Sequence, residues 1–135
     1  MKTIALCYLI DDDLDDQEIF CMAIEDFDNS IKCDYATDGG LAIKKLKEEL
    51  NYFPDVIFID MNMPKINGLQ CLIELKKNHR LDSIPVIIYS TSSDPKTIAE
   101  TKKEGAFDFL IKPPSVSALT LMMEKLFSRI QKINV

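Results

Sequence analysis

Five short apolar runs, each followed by an amphipathic stretch, constrain this chain more than any other feature of its sequence. The runs are Ile4–Ile10, Ile31–Ala36, Val56–Ile59, Val86–Tyr89 and Phe107–Ile111. Unbroken apolar character in the first, third and fourth is what a parallel sheet covered on both faces requires. The second alternates, as a partly exposed strand does. Between the runs lie helical patterns. Leu14–Phe27 carries Ile19, Ala23 and Phe27 at intervals of four, Leu41–Leu50 sets Leu41, Ala42, Leu46 and Leu50 against a lysine-rich side, and Leu69–Asn78 aligns Leu69, Leu72 and Ile73. Pro95–Lys103 is polar, with Ile98 and Ala99 as anchors. The last helix aligns Val116, Leu119, Met123, Leu126 and Ile130 in steps of three and four. Asp38-Gly39-Gly40, Pro54-Asp55, Ile84-Pro85 and Gly105 punctuate the elements, and Asp94-Pro95 suits a helix start. Five such alternations predict one doubly wound α/β domain over 1–135, a five-stranded parallel sheet with five helices on its two faces and no effector domain behind it.

Composition removes several classes. A net charge of −6 lacks the basic footprint of a nucleic-acid surface. Cys7, Cys21, Cys33 and Cys71 are widely spaced, without a CxxC pair, which reads as reduced thiols rather than a disulfide framework or a zinc site. No apolar stretch approaches membrane-spanning length, and the N-terminus lacks a leader pattern. The expected compartment is the cytoplasm.

The chemistry is concentrated at the carboxyl ends of the strands. Asp11, Asp12, Asp13, Asp15 and Asp16 place five acids within six residues after the first strand. A helix N-terminus favours acids through its dipole, which accounts for Asp15 and Asp16. It does not account for acids starting abruptly at a strand end, where they repel unless a cation sits among them. Asp60 ends the third run. Ligands of open α/β sheets bind outside the carboxyl ends of the strands, and if the first and third strands are neighbours, Asp60 lies beside Asp11 and Asp12. Three carboxylates with a backbone carbonyl suit a hard, oxygen-preferring ion such as Mg2+. Ser90 and Thr91 end the fourth strand. Lys112 follows the fifth, where a lysine is costly to desolvate without an anionic partner. Nucleophile, cation and extra positive charge are the parts that phosphoryl transfer needs.

With those residues in view, the chain resembles the receiver domains of two-component response regulators, especially the stand-alone type. The motifs occur in order: Leu9-Ile10-Asp11-Asp12-Asp13, Val56-Ile57-Phe58-Ile59-Asp60-Met61-Asn62-Met63-Pro64, Gly68, Pro85-Val86-Ile87-Ile88-Tyr89-Ser90-Thr91 and Phe109-Leu110-Ile111-Lys112-Pro113. The resemblance implies a flavodoxin-like sheet of order 2-1-3-4-5. It makes Asp60 the phosphoacceptor, with the donor a sensor histidine kinase, a phosphotransfer protein or a small acyl phosphate. Asp12, Asp60 and the Asn62 carbonyl would contact Mg2+, and Asp11 would act through water. Lys112 would pair with the phosphoryl oxygens, Ser90 would hydrogen-bond them, and Lys112–Pro113 would be cis. A register using Asp12 and Asp13 is the competing choice, and Thr91 stands close behind Ser90. Thr91 occupies a place where the family often has a small residue, so it would hinder hydrolysing water. Phe109 stands where many receivers have tyrosine; it is either a rotatable switch or plain core, since Phe107, Phe109 and Ile111 alternate on one face. His79 reads as solvated surface.

The implied activity is autocatalytic phosphoryl acceptance and loss rather than metabolic catalysis. An unknown downstream protein would read the switch, which is expected to be a monomer or weak dimer without direct nucleic-acid binding. A magnesium-dependent phosphohydrolase also uses an aspartate after a strand, but usually has a second acid two residues on, where Asn62 stands here, and a substrate cap. A purely structural α/β binding module is the remaining alternative. A nucleotide-binding module would want glycines where the first turn has aspartates.

Overall fold

Alternating strand and helix signals resolve into β1 (Leu6–Ile10), α1 (Leu14–Phe27), β2 (Lys32–Ala36), α2 (Gly39–Glu48), β3 (Val56–Asp60), α3 (Gly68–Lys76), β4 (Val86–Ser90), α4 (Pro95–Lys103), β5 (Asp108–Ile111) and α5 (Val116–Ile133). The computed structural model describes residues 3–133. The strands form one parallel sheet in the order β2-β1-β3-β4-β5, so β1 and β3 are neighbours. The unbroken apolar runs β3 and β4 are buried along their whole length, and the alternating β2 lies at an edge with partial exposure.

Two hydrophobic layers hold the sheet. On one face α1 and α5 pack together and cover Cys7, Leu9, Phe58, Ile87 and Tyr89 with Phe20, Ala23, Ile24, Leu119, Met123 and Phe127. The Phe20 ring meets Phe58 edge-on, with centroids 4.9 Å apart and planes at 69°, a geometry that adds about 0.5–1.5 kcal/mol to area burial. On the other face α2 and α3 cover Tyr8, Ile10, Ile57, Ile59 and Ile88 with Ala42, Leu46, Cys71, Leu72 and Leu75. All four cysteines are free thiols. No helix among the described residues is long and apolar enough to cross a membrane.

Several expected core positions are displaced, each for a geometric reason. Ile19 is exposed, and α1 points Phe20, Ala23 and Ile24 inward. A spacing of four drifts about 40° per step around a 3.6-residue helix, so a series begun at Ile19 starts on the flank of the buried stripe. Leu41 is exposed on α2, and Leu50 lies beyond its end at Glu48. Helix α3 stops at Lys76, and a single 3-10 turn, His79–Leu81, follows and buries Leu81. In α4 Ala99 is exposed; Thr101 is the buried residue, its hydroxyl donating to the Ile98 carbonyl at 3.0 Å. Phe107 and Phe109 do not share a face. Phe107 packs with the α1–α5 layer and Phe109 with the α2–α3 layer, because the strand begins only at Asp108 and the chain bends at Phe107, which breaks the two-residue alternation.

Candidate functional site

Asp11, Asp60 and Lys112 sit at or just past the carboxyl ends of β1, β3 and β5. Asp11 directly follows β1; its N–H donates to the Ala36 carbonyl at 2.9 Å, which prolongs the ladder by one bond and brings the side chain to the carboxyl end of the sheet. That carboxylate is fully buried and accepts the Asp13 N–H at 3.0 Å, while the Gln17 side chain donates to its carbonyl at 2.7 Å. Asp60 is the last residue of β3 and is 5% exposed. Since Ile10 pairs with Ile59, the next residues of both strands emerge together. Asp11, Asp12 and Asp60 each offer an oxygen within 4.8 Å of the others. Asp12 is exposed, and the other two are buried. These three hard oxygen donors form a cluster capable of holding a divalent cation. Asp13 is not in it. It caps α1, accepting the N–H groups of Asp15 at 2.9 Å and Asp16 at 3.2 Å, so the converging pair from this segment is Asp11 and Asp12.

Lys112 follows β5, and its backbone N–H donates to the Ser90 carbonyl at 2.7 Å. Its ammonium crosses the mouth of the sheet to Asp16 at 2.7 Å, Asp11 at 3.0 Å and Asp60 at 3.3 Å. The side chain is 8% exposed, and three carboxylates around one buried cation set the local protonation. Burial alone would lower the lysine's pKa, but the hydrogen bond to Asp16 and the charges of Asp11 and Asp60 outweigh it and hold the pKa above the usual lysine value. Burial, and then the neighbouring charge of Asp11, push the Asp60 carboxyl up to about 6 despite Lys112. Burial also raises Asp11. The negative charge at this site is thus incompletely balanced by the protein's own cation.

Asp12, Asp13, Asp16, Asp60, Asn62, Thr91 and Lys112 line an open cleft of about 470 Å³. Thr91 is at its wall, whereas Ser90 is fully buried behind it, its hydroxyl oxygen accepting the Ser92 N–H at 3.3 Å. The Asn62 N–H reaches the Asp60 carboxylate at 3.4 Å, and its side chain is exposed. Below the cleft, the Gly68 N–H donates to the Met61 carbonyl at 3.0 Å, tying the start of α3 to the chain that follows Asp60. Lys65, in the loop between them, has φ 66°, a left-handed conformation that costs a non-glycine residue about 1–2 kcal/mol. The expected cis bond after β5 is not found. No cis peptide occurs among the described residues, so Lys112–Pro113 is trans; the trans form of an X–Pro bond is intrinsically favoured by about 0.5–1 kcal/mol. His79 is on the surface, its ring 3.1 Å from Asp82. The contact of Asp16 is not legible in the sequence, where it stands as one more dipole-stabilised helix acid and no local pattern reports a lysine 96 positions away.

A parallel α/β sheet with a carboxylate–lysine cluster at its strand ends is the frame within which the comparisons with known proteins fall. The family model for the response regulator receiver domain matches residues 7–124, and the chain belongs to that family. It is 33% identical over 129 residues to the probable C4-dicarboxylate response regulator DctR of Bacillus subtilis, covering 93% of this chain and 53% of that one. The chain thus spans about half the length of that relative. Among solved structures, the phosphorylated cyanobacterial phytochrome response regulator RcpA superposes with a TM-score of 0.82 at 25% identity, covering 92% of this chain and 91% of that one. The receiver domain of Francisella response regulator 1452 superposes at 0.69 with 30% identity, covering 93% and 98%.

Proposed function

We propose that this chain is a phosphorylatable signalling switch in which Asp60 accepts a phosphoryl group from a sensor histidine kinase or a phosphotransfer protein, with Mg2+ as cofactor. The observation that carries the reading is the meeting at one strand-end cleft of a buried aspartate, two further carboxylates within 4.8 Å, and a lysine ammonium 3.3 Å from the aspartate. The phosphorylated state of the RcpA relative supports it.

Asp12, Asp60 and the Asn62 carbonyl would hold the metal directly, and Asp11 through water. Bound there, Mg2+ supplies positive charge to the transferring phosphoryl oxygens and to the acids themselves. An oxygen of Asp60 attacks phosphorus; the O–P bond forms as the P–N bond to the donor imidazole breaks, and the imidazole nitrogen leaves with the electron pair and takes up a proton. The buried Asp60 needs its charged form for this step. Lys112 favours that form and faces the oxygens that gain charge. Ser90 and Thr91, at the end of β4, are the hydroxyls for the phosphoryl group, with Thr91 at the cleft wall where it narrows the approach of hydrolysing water. The altered site then reshapes a face read by a downstream protein.

Mass spectrometry after treatment with acetyl phosphate and Mg2+ is the test. One phosphoryl group is expected on the wild type, none without the metal, and little on Asp60→Asn. Equal labelling of Asp60→Asn would remove Asp60 as acceptor.

A further inference from the structure

The ammonium of Lys112 is already shared among carboxylates before any phosphoryl group arrives, with hydrogen bonds to Asp11 and Asp16. It has three hydrogens and three carboxylates around it: Asp16 at 2.7 Å, Asp11 at 3.0 Å and Asp60 at 3.3 Å. The shortest contact goes to the one acid that belongs neither to the cation cluster nor to the end of a sheet strand. Asp16 lies in the first turn of α1, held there by its own N–H bond to the Asp13 cap at 3.2 Å. Its pairing therefore ties the start of α1, next to the sheet's centre, to the end of the edge strand β5, across the cleft that both residues line.

A phosphoryl group on Asp60 brings roughly 1.5 to 2 negative charges and three acceptor oxygens, while two of the three Lys112 hydrogens are already donated to Asp11 and Asp16. A second hydrogen for those oxygens must come from one of these two carboxylates. Asp11 is 0% exposed and a charge there cannot turn to water, whereas the Asp16 side chain is 30% exposed and can. Losing a buried partner leaves an uncompensated charge; losing a partly solvated one exchanges it for water. We propose that Asp16 is a positioning residue for Lys112 in the resting protein only, a carboxylate that competes with the phosphoryl group for the ammonium and surrenders it on phosphorylation. The exchange opposes phosphorylation, since a charge-assisted hydrogen bond is broken to form another. It also reports occupancy of Asp60 to α1, and through the α1–α5 packing to the last helix.

This rests on Asp60 being the phosphoacceptor, and the experiment separates the two. Beryllofluoride with Mg2+ stands in for the phosphoryl group, and its affinity is measured for the wild type, Asp16→Asn, Asp16→Ala and Asp13→Asn. Asp13 lines the same cleft and carries the same charge without touching Lys112, and asparagine still caps a helix, so Asp13→Asn measures the effect of net charge alone. Both Asp16 variants are expected to bind roughly tenfold tighter than the wild type, the scale of one charge-assisted hydrogen bond no longer surrendered, and Asp13→Asn much less so. The Lys112 ammonium resonance, followed with 15N-lysine, is expected to shift on beryllofluoride binding in the wild type and to shift less in Asp16→Asn. Equal gains in the Asp13 and Asp16 variants overturn the proposal in favour of simple repulsion. Weaker binding in both Asp16 variants overturns it too, since Asp16 would then be holding Lys112 in its working position. A wild type that binds no beryllofluoride overturns the assignment of Asp60, and the role of Asp16 with it.

Discussion

A β-carbon on Gly68 would lie 2.8 Å from the carbonyl oxygen of Asp60 and equally close to the Met61 Cα. Helix α3 therefore enters against the backbone of Asp60 at a distance that only glycine allows. Gly68→Ala must push rigid main chain rather than a flexible side chain. It is expected to cost about 1–3 kcal/mol, the range for overpacking, and to slow labelling of Asp60 as well. Urea melts and acetyl phosphate labelling read the two effects. Full stability in Gly68→Ala would mean that the α3 start relaxes freely.

The cation cluster makes a graded statement about three neighbouring acids. Asp12 offers an oxygen to the cluster and Asp13 does not, being occupied as the α1 cap. Asp12→Asn is therefore expected to weaken Mg2+ binding strongly, by loss of a direct anionic ligand, and Asp13→Asn only mildly, by loss of distant attraction. Metal titration compares them. A larger loss in Asp13→Asn would shift the ligand assignment by one residue.

Metal-free stability should depend on pH through Asp60. Its folded pKa is raised by burial and by Asp11 from 3.8 to about 6, so between those values the folded protein holds more protons than the unfolded chain. The stabilisation linked to this group is complete below the unfolded value and is lost as pH rises through about 6. A tenfold difference in proton affinity between the two states corresponds to about 1.4 kcal/mol. Asp60→Asn, which cannot charge, is expected to gain on the wild type as pH climbs from about 4 to 7, reaching a few kcal/mol. Mg2+ is expected to close that gap. Urea midpoints across this range, with and without the metal, give the answer; a wild type more stable than Asp60→Asn at neutral pH without Mg2+ contradicts the expected sign.

Phe109 borders a cavity of about 150 Å³ beside Ile98, Thr101 and Phe107, and is only partly buried. Space on one side lets the ring change rotamer at small cost. A ring-labelled phenylalanine NMR spectrum is expected to show Phe109 responding to beryllofluoride, whereas the buried Phe58 ring stays fixed. An unchanged Phe109 signal at full occupancy of Asp60 would make this ring core, and the output would leave through other elements.

Local sequence sufficed for the sheet and for the positions of its reactive ends. Five apolar runs, with Leu14–Phe27 and Pro95–Lys103 matching α1 and α4 to the residue, follow from local periodicity, and a polar side chain placed after an apolar strand marks Asp11, Asp60 and Lys112 without any tertiary knowledge. Strand ends are local events. Contacts between ends are not. The hold of Asp16 on Lys112 joins residues 96 positions apart, and depends on the β5 edge lying two strands from β3 and on a lysine stem long enough to cross that span. The separation of Phe107 from Phe109 turns on a single bend before the strand begins. Ile19 falls outside the core because a spacing of four does not say which residue of a helix starts the buried stripe; packing against α5 and the sheet selects Phe20, Ala23 and Ile24. Periodicity encodes which residues are apolar and how often, while direction, reach and partner are set only when the layers close on one another.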